Sequence, residues 1–248
     1  GQSVADDSEK AQTLPDNPYS FVPGQTLLAQ FNAMVKTALS QPLSEDAQKV
    51  EAYIQAPQLV DWQHLSMQSV ADFVCSLPSH DKRDSLVNAF VKNHGLYSDV
   101  FLNTMMEMCE NIALHEAMET LFINRLNSDA DVSLAALRGL STQEYSGTIN
   151  KALTELLKNE NAQRIDVLSV VAARHFEQFD DELLASFLEQ AALVDEQEAH
   201  NGALFSGFFS DLVQIPKLRR QVLTLLHSPQ KSKTLSSAFE KLFAQARQ

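Results

Sequence analysis

Apolar residues recur three and four apart along most of the chain, the spacing of helices with one buried stripe. The first such stretch predicts a helix from about Gln25 to Ser40, with Leu27, Leu28, Phe31, Met34, Val35 and Leu39 on one face and Pro42 ending it. Ser44 is placed to cap a second helix, Glu45 to Gln55, which carries Val50, Tyr53 and Ile54. Pro57 breaks the pattern, and Leu59, Val60 and Trp62 fall in or beside a short turn. A third helix is predicted over Gln63 to Leu77. Pro78 and Ser79 stop it and cap a fourth, Asp81 to Asn93, which His94-Gly95 closes with glycine at the C′ position. The fifth, Ser98 to Asn111, is rich in sulfur through Met105, Met106, Met108 and Cys109, read as filling of irregular core gaps rather than as an adaptable groove. A sixth runs from Leu114 to Leu126.

The stretch Asp129–Ser141, DADVSLAALRGLS, then sets a pattern that returns. Asp129 and Asp131 stand where a helix begins and can meet free backbone N–H groups. Val132, Leu134, Ala135, Ala136, Leu137 and Leu140 form its apolar face, and the two alanines admit a close neighbour. Gly139 and Ser141 weaken the helix and help it stop. Similar second helices are expected to begin near Ala162, Glu198 and Lys231, after the one at Ala130. First helices are expected near Ala113, Ser146, Asp181 and Lys217, with Pro216 as an N1 residue. Both series have a period of about 32 to 36 residues, as in stacked helical repeats.

From about Leu114 to Gln245, with its acidic helix start and Ala-Ala-Leu centre, this region resembles HEAT-type repeats; the whole chain also resembles the uncharacterised helical families of bacteria. The resemblance implies an all-α fold of stacked antiparallel helix pairs, a HEAT-like right-handed α-solenoid of about 12–13 helices. The organisation expected is a polar tail over residues 1–17, an N-terminal helical part over 18–112 and repeats over 113–248, the last two continuous. Between tail and first helix, Pro18, Tyr19, Phe21, Val22 and Pro23 read as an extended strap on the chain's own first helices.

Of 248 residues, 44 % are hydrophobic, ample for a core, while 7 glycines and 8 prolines leave room for long helices. No run of 18 apolar residues occurs, so no membrane span is expected. Cys75 and Cys109 lack metal-ligand spacing and are expected as free buried thiols, which points to a reducing, cytoplasmic compartment. Net charge is −13, against non-specific nucleic-acid binding by the whole molecule. The charge is uneven. Residues 217–248 carry seven Lys or Arg against Glu240 alone, net +6, which leaves −19 for residues 1–216. No Lys or Arg lies between His175 and Pro216, and the basic segment is read first as the structural complement of that acidic stretch, or as the soluble face of the terminal repeat.

Chemical motifs fail on inspection. His115-Glu116 opens like a zinc-protease HExxH, but Glu119 stands where the second His belongs. Glu107/Glu110 and Glu116/Glu119 are paired carboxylates without the Glu-x-x-His of di-iron bundles. Asp129-x-Asp131-x-Ser133 lacks the glycine and terminal glutamate of a calcium loop. Gly202 and Gly207 have P-loop spacing, but Phe208-Phe209 replaces Lys-Ser/Thr. No catalytic residue, cofactor or metal is therefore assigned. The sequence expectation is a non-enzymatic scaffold or adaptor with a protein partner. The alternatives are polyanion or nucleic-acid binding through Lys217, Arg219, Arg220, Lys231 and Lys233, and an enzyme whose site is assembled between helices.

Overall fold

A computed structural model of the chain describes residues 24–126, 134–142, 144–229 and 231–245. Among these residues the fold is all-α: thirteen helices and no strand. They are α1 (Gln25–Ala38), α2 (Glu45–Gln55), α3 (Met67–Ser76), α4 (Arg83–Asn93), α5 (Asp99–Met108), α6 (Glu116–Leu126), α7 (Leu134–Gly139), α8 (Gly147–Leu157), α9 (Ile165–Arg174), α10 (Asp181–Gln197), α11 (Ala203–Gln214), α12 (Pro216–His227) and α13 (Lys233–Gln245). The expected tail over residues 1–17, the strap up to Pro23, and the helix starts at Asp129, Ala130 and Asp131 lie outside the described residues.

Side-chain caps explain many of the starts. Ser44 accepts from the Ala47 N–H at 3.2 Å, Ser66 from Ser69 at 3.1 Å, Ser98 from Phe101 at 3.2 Å, Ser146 from Ile149 at 3.4 Å and Asp180 from Leu183 at 2.8 Å. Each satisfies one of the N–H groups that a helix start leaves without a backbone partner. Pro216 opens α12, where its missing N–H costs nothing.

Some boundaries differ from the sequence pattern. No helix begins at Glu198; it closes α10, which runs the full 17 residues from Asp181. Ala199 and Asn201 then take positive φ angles of 57° and 55°, Gly202 takes 90°, and α11 starts at Ala203. Ala162 ends a 3-10 turn, Glu160–Ala162, and extended Arg164 delays α9 to Ile165. Gly95 does not adopt the left-handed C′ conformation; α4 passes into a 3-10 turn, His94–Leu96. Ser79 does not cap α4, whose N-cap is Lys82 with no side-chain bond.

Contacts between helices follow a rule of two. α1 touches α3, α3 touches α5, α5 touches α7 and α7 touches α9; α2, α4, α6, α8, α10 and α12 likewise touch in succession. Pairs such as α2–α3, α6–α7 and α9–α10 join the two series. α10 also touches α11 and α13, so this longest helix gathers the C-terminal third. One core cluster runs from Ala29 to Phe239. Tyr53, Phe90, Tyr97 and Phe101 interlock in its N-terminal part, and Phe205, Phe209 and Phe239 in its C-terminal part. The α5 methionines Met105, Met106 and Met108 are fully buried and fill the interior as expected.

Gly139 does more than end α7. A Cβ there would meet the Met106 carbonyl and lie 2.8 Å from the Phe122 ring. Only glycine lets α7 sit this close to α5 and α6.

Candidate functional site

Among the described residues, α1 is the helix whose amphipathic pattern the packing does not use up. Its core side is narrow, made of Ala29, Ala33 and Gln30. The Gln30 amide donates to the Glu110 carbonyl at 2.7 Å, just past the end of α5, where helix carbonyls lack partners. From α3, the Gln68 amide donates to the Ala29 carbonyl at 3.1 Å and to Asp72 at 2.7 Å. Lys36 closes the set with an ion pair to Asp72 at 2.7 Å. These polar latches fix the rotation of α1. Its large apolar residues, Leu27, Leu28, Phe31, Met34 and Val35, together with Leu39 just beyond it, therefore face outward; Phe31 is 62 % exposed. Lys36 is the only charge on the helix. A continuous apolar stripe of this kind marks an interaction surface far more often than a scattered exposed leucine does.

The five basic candidates do not form one patch. The Lys217 ammonium reaches Glu177, bonding its carboxylate at 2.6 Å and its carbonyl at 3.1 Å, so it ties α12 to the acidic stretch. Lys231 donates to the Leu226 and Ser228 carbonyls at 2.6 and 2.5 Å, which caps the end of α12, and lies 6.0 Å over the Phe239 ring. Arg219 donates to the Val213 carbonyl at 3.0 Å and shares a shallow open groove on α12 with Arg220, Leu223 and His227. Lys233 opens α13, away from that groove. Arg220 and Lys233 make no ion pair among the described residues. The structure thus brings together Arg219 and Arg220 alone and gives Lys217 and Lys231 structural work.

Several of the other motif residues are also engaged. Glu107 and Glu110 turn to different partners, Arg138 at 3.7 Å and Arg174 at 2.6 Å. His115 accepts the Ala117 N–H at 3.1 Å and lies 3.7 Å from Asp84. No group of three or more His, Cys, Asp or Glu among the described residues is arranged to hold a metal ion. At the Gly202–Gly207 spacing, the buried Asp195 carboxylate accepts the Gly202 N–H at 2.6 Å and the Phe205 N–H at 3.0 Å. The N–H groups a phosphate would need are occupied by the chain's own carboxylate.

Buried polar groups that the periodicity did not mark hold the helices in place. His175 is fully buried, and its Nε2 bonds the Leu137 carbonyl at 2.8 Å, linking the end of α9 to the short α7. Burial lowers its pKa to about 4, against a smaller opposing effect from that carbonyl. Its Nδ1 has no partner among the described residues. Gln178 is equally buried; it accepts the Ser146 N–H at 2.7 Å and donates to the Glu144 carbonyl at 2.7 Å, steadying the start of α8. Cys75 and Cys109 are free and buried, and burial pushes the Cys75 thiol up to about 11 and that of Cys109 higher still.

No described helix is long and apolar enough to cross a membrane. Comparison with curated proteins and with solved structures gives no match. A family described as "Protein of unknown function (DUF3549)" matches residues 1–243, nearly the whole length. All-helical from α1 to α13 and matched almost end to end, the chain belongs to that family.

Proposed function

We propose that this chain is a non-enzymatic protein-binding module, built as a HEAT-like right-handed α-solenoid, that docks a partner on the exposed face of α1. The rule-of-two contacts support the solenoid part, because in stacked helix pairs each helix meets its equivalents in the units before and after. The continuous core, from Ala29 to Phe239, supports the N-terminal helical part and the repeats acting as one body. The observation that carries the binding part is the outward stripe Leu27–Phe31–Met34–Val35 on a helix locked by Gln30, Lys36 and Gln68. A helix held by polar bonds at its small-residue side cannot roll to hide its large residues. Covering them releases roughly 25 cal/mol for each Å² of apolar surface.

Chemical crosslinking in extract of the native host, followed by capture of the wild type and of Phe31→Glu, tests this. A crosslinked protein product lost in Phe31→Glu is expected; identical products from both proteins would remove the α1 reading.

A second reading, polyanion binding, is favoured by one observation: Arg219 and Arg220 share the α12 groove. It requires affinity for a nucleic acid or another polyanion that falls steeply with salt. Binding unchanged by Arg219→Glu together with Arg220→Glu would remove it.

A further inference from the structure

We propose that the occupant of the α1 face is α1 of a second copy of this chain, packed antiparallel about a twofold axis near Phe31 and Met34. This rests on the reading of α1 as a docking surface and names its partner.

The spacing comes first. Leu27, Phe31, Met34 and Ala38 follow the four-three-four rhythm of a seam between two helices, and all four are exposed. Leu28 and Val35 widen the stripe on one side. An extended segment would use alternate residues along itself and leave part of such a seam open. A helix carrying the same rhythm fills it, and α1 itself has that rhythm.

Charge comes next. A partner recognised by charge needs a complementary field, and α1 offers none: it has no carboxylate, and its one cation is paired with Asp72. An uncharged apolar stripe is complementary to itself, which a twofold contact requires. The net charge of −13 opposes the approach of two copies, but only through space outside the seam, where salt screens it.

Area sets the strength. Six apolar side chains exposed by about half present on the order of 500 Å² per copy. Two copies then bury about 1,000 Å², at the lower edge of specific interfaces, so the dimer is weak and concentration-dependent. Apolar contact with like net charges also gives it a distinctive response: salt strengthens it, whereas salt weakens polyanion binding.

Sedimentation equilibrium over a wide concentration range, at low and high salt, reads this directly. The wild type is expected to move from 27.6 kDa toward twice that mass, at lower protein concentration when salt is raised. Phe31→Glu and Met34→Glu, both at exposed positions, should each weaken association by about 100-fold or more, since each places two charges in the seam. Leu59→Glu, in the turn after α2, adds the same charge at an exposed position elsewhere and should associate like the wild type. A wild type that stays at 27.6 kDa throughout, or a dimer that survives Phe31→Glu, overturns the proposal. A monomeric wild type that still crosslinks another protein through α1 overturns self-pairing and leaves the docking surface standing. A monomer with no α1-dependent product removes both.

Discussion

His175 makes the fold sensitive to acid in a way that can be worked out in advance. Folded, its ring takes a proton only near pH 4, because charging it would place a cation in the core beside α7 with one ring nitrogen unpartnered. Unfolded, it takes a proton near the ordinary 6.5. The folded pKa is therefore depressed, and between the two values the unfolded chain binds more protons. Its neutral form favours the fold fully above pH 6.5, and that contribution is lost as pH falls toward 4. The difference between about 4 and 6.5 is worth about 3 kcal/mol at the acid plateau and about 2 kcal/mol already at pH 5. Against a typical total of about 5–15 kcal/mol, that is a large share. The assay is urea unfolding at pH 7 and pH 5 for the wild type and for His175→Gln, which keeps a donor for the Leu137 carbonyl but does not titrate. Other groups titrate in both proteins and cancel in the difference. The wild type should lose about 2 kcal/mol more than the variant on going to pH 5. Parallel losses in the two proteins would refute the reasoning.

Three further expectations follow from the same contacts. Asp195→Ala strands the Gly202 and Phe205 N–H groups in a buried turn and should cost about 2–4 kcal/mol in denaturant unfolding, with Asn recovering part of it. Gly139→Ala should cost about 1–3 kcal/mol by overpacking against Phe122 and the Met106 carbonyl, read as a lowered thermal midpoint. Cys75 and Cys109 should resist alkylation at neutral pH until the chain unfolds, as loss of mass shift in timed labelling would show.

Helix period and caps carried most of the architecture. The helix from Glu45 to Gln55 is found at the expected residues, and α10 starts at Asp181 as expected, because Ser44 and Asp180 are strong local start signals. The false start at Glu198 shows the limit of that signal. An acidic residue favours a helix start without fixing one, and what decides there is the left-handed run through Ala199, Asn201 and Gly202, fixed by Asp195 from within α10. The candidate site was legible only in half. Periodicity showed that α1 has an apolar face; it could not show that the opposite face is the one packed. The available signal was Ala29 and Ala33 one turn apart beside Gln30, the small-residue pattern of close helix packing, which was read for Ala135 and Ala136 but applies equally here. The pairing of Lys217 with Glu177 fits the reading of the basic segment as complement to the acidic stretch before it, but charge counting could not place Lys231 on the end of α12.

The claim that α1 is a docking surface is tested most directly by replacing Phe31 with a photo-reactive benzoylphenylalanine and irradiating the protein in its host. The account predicts a protein-sized crosslinked product, formed from position 31 and not from exposed Leu59 treated the same way. A position 31 that yields only the uncrosslinked 27.6 kDa chain would contradict it.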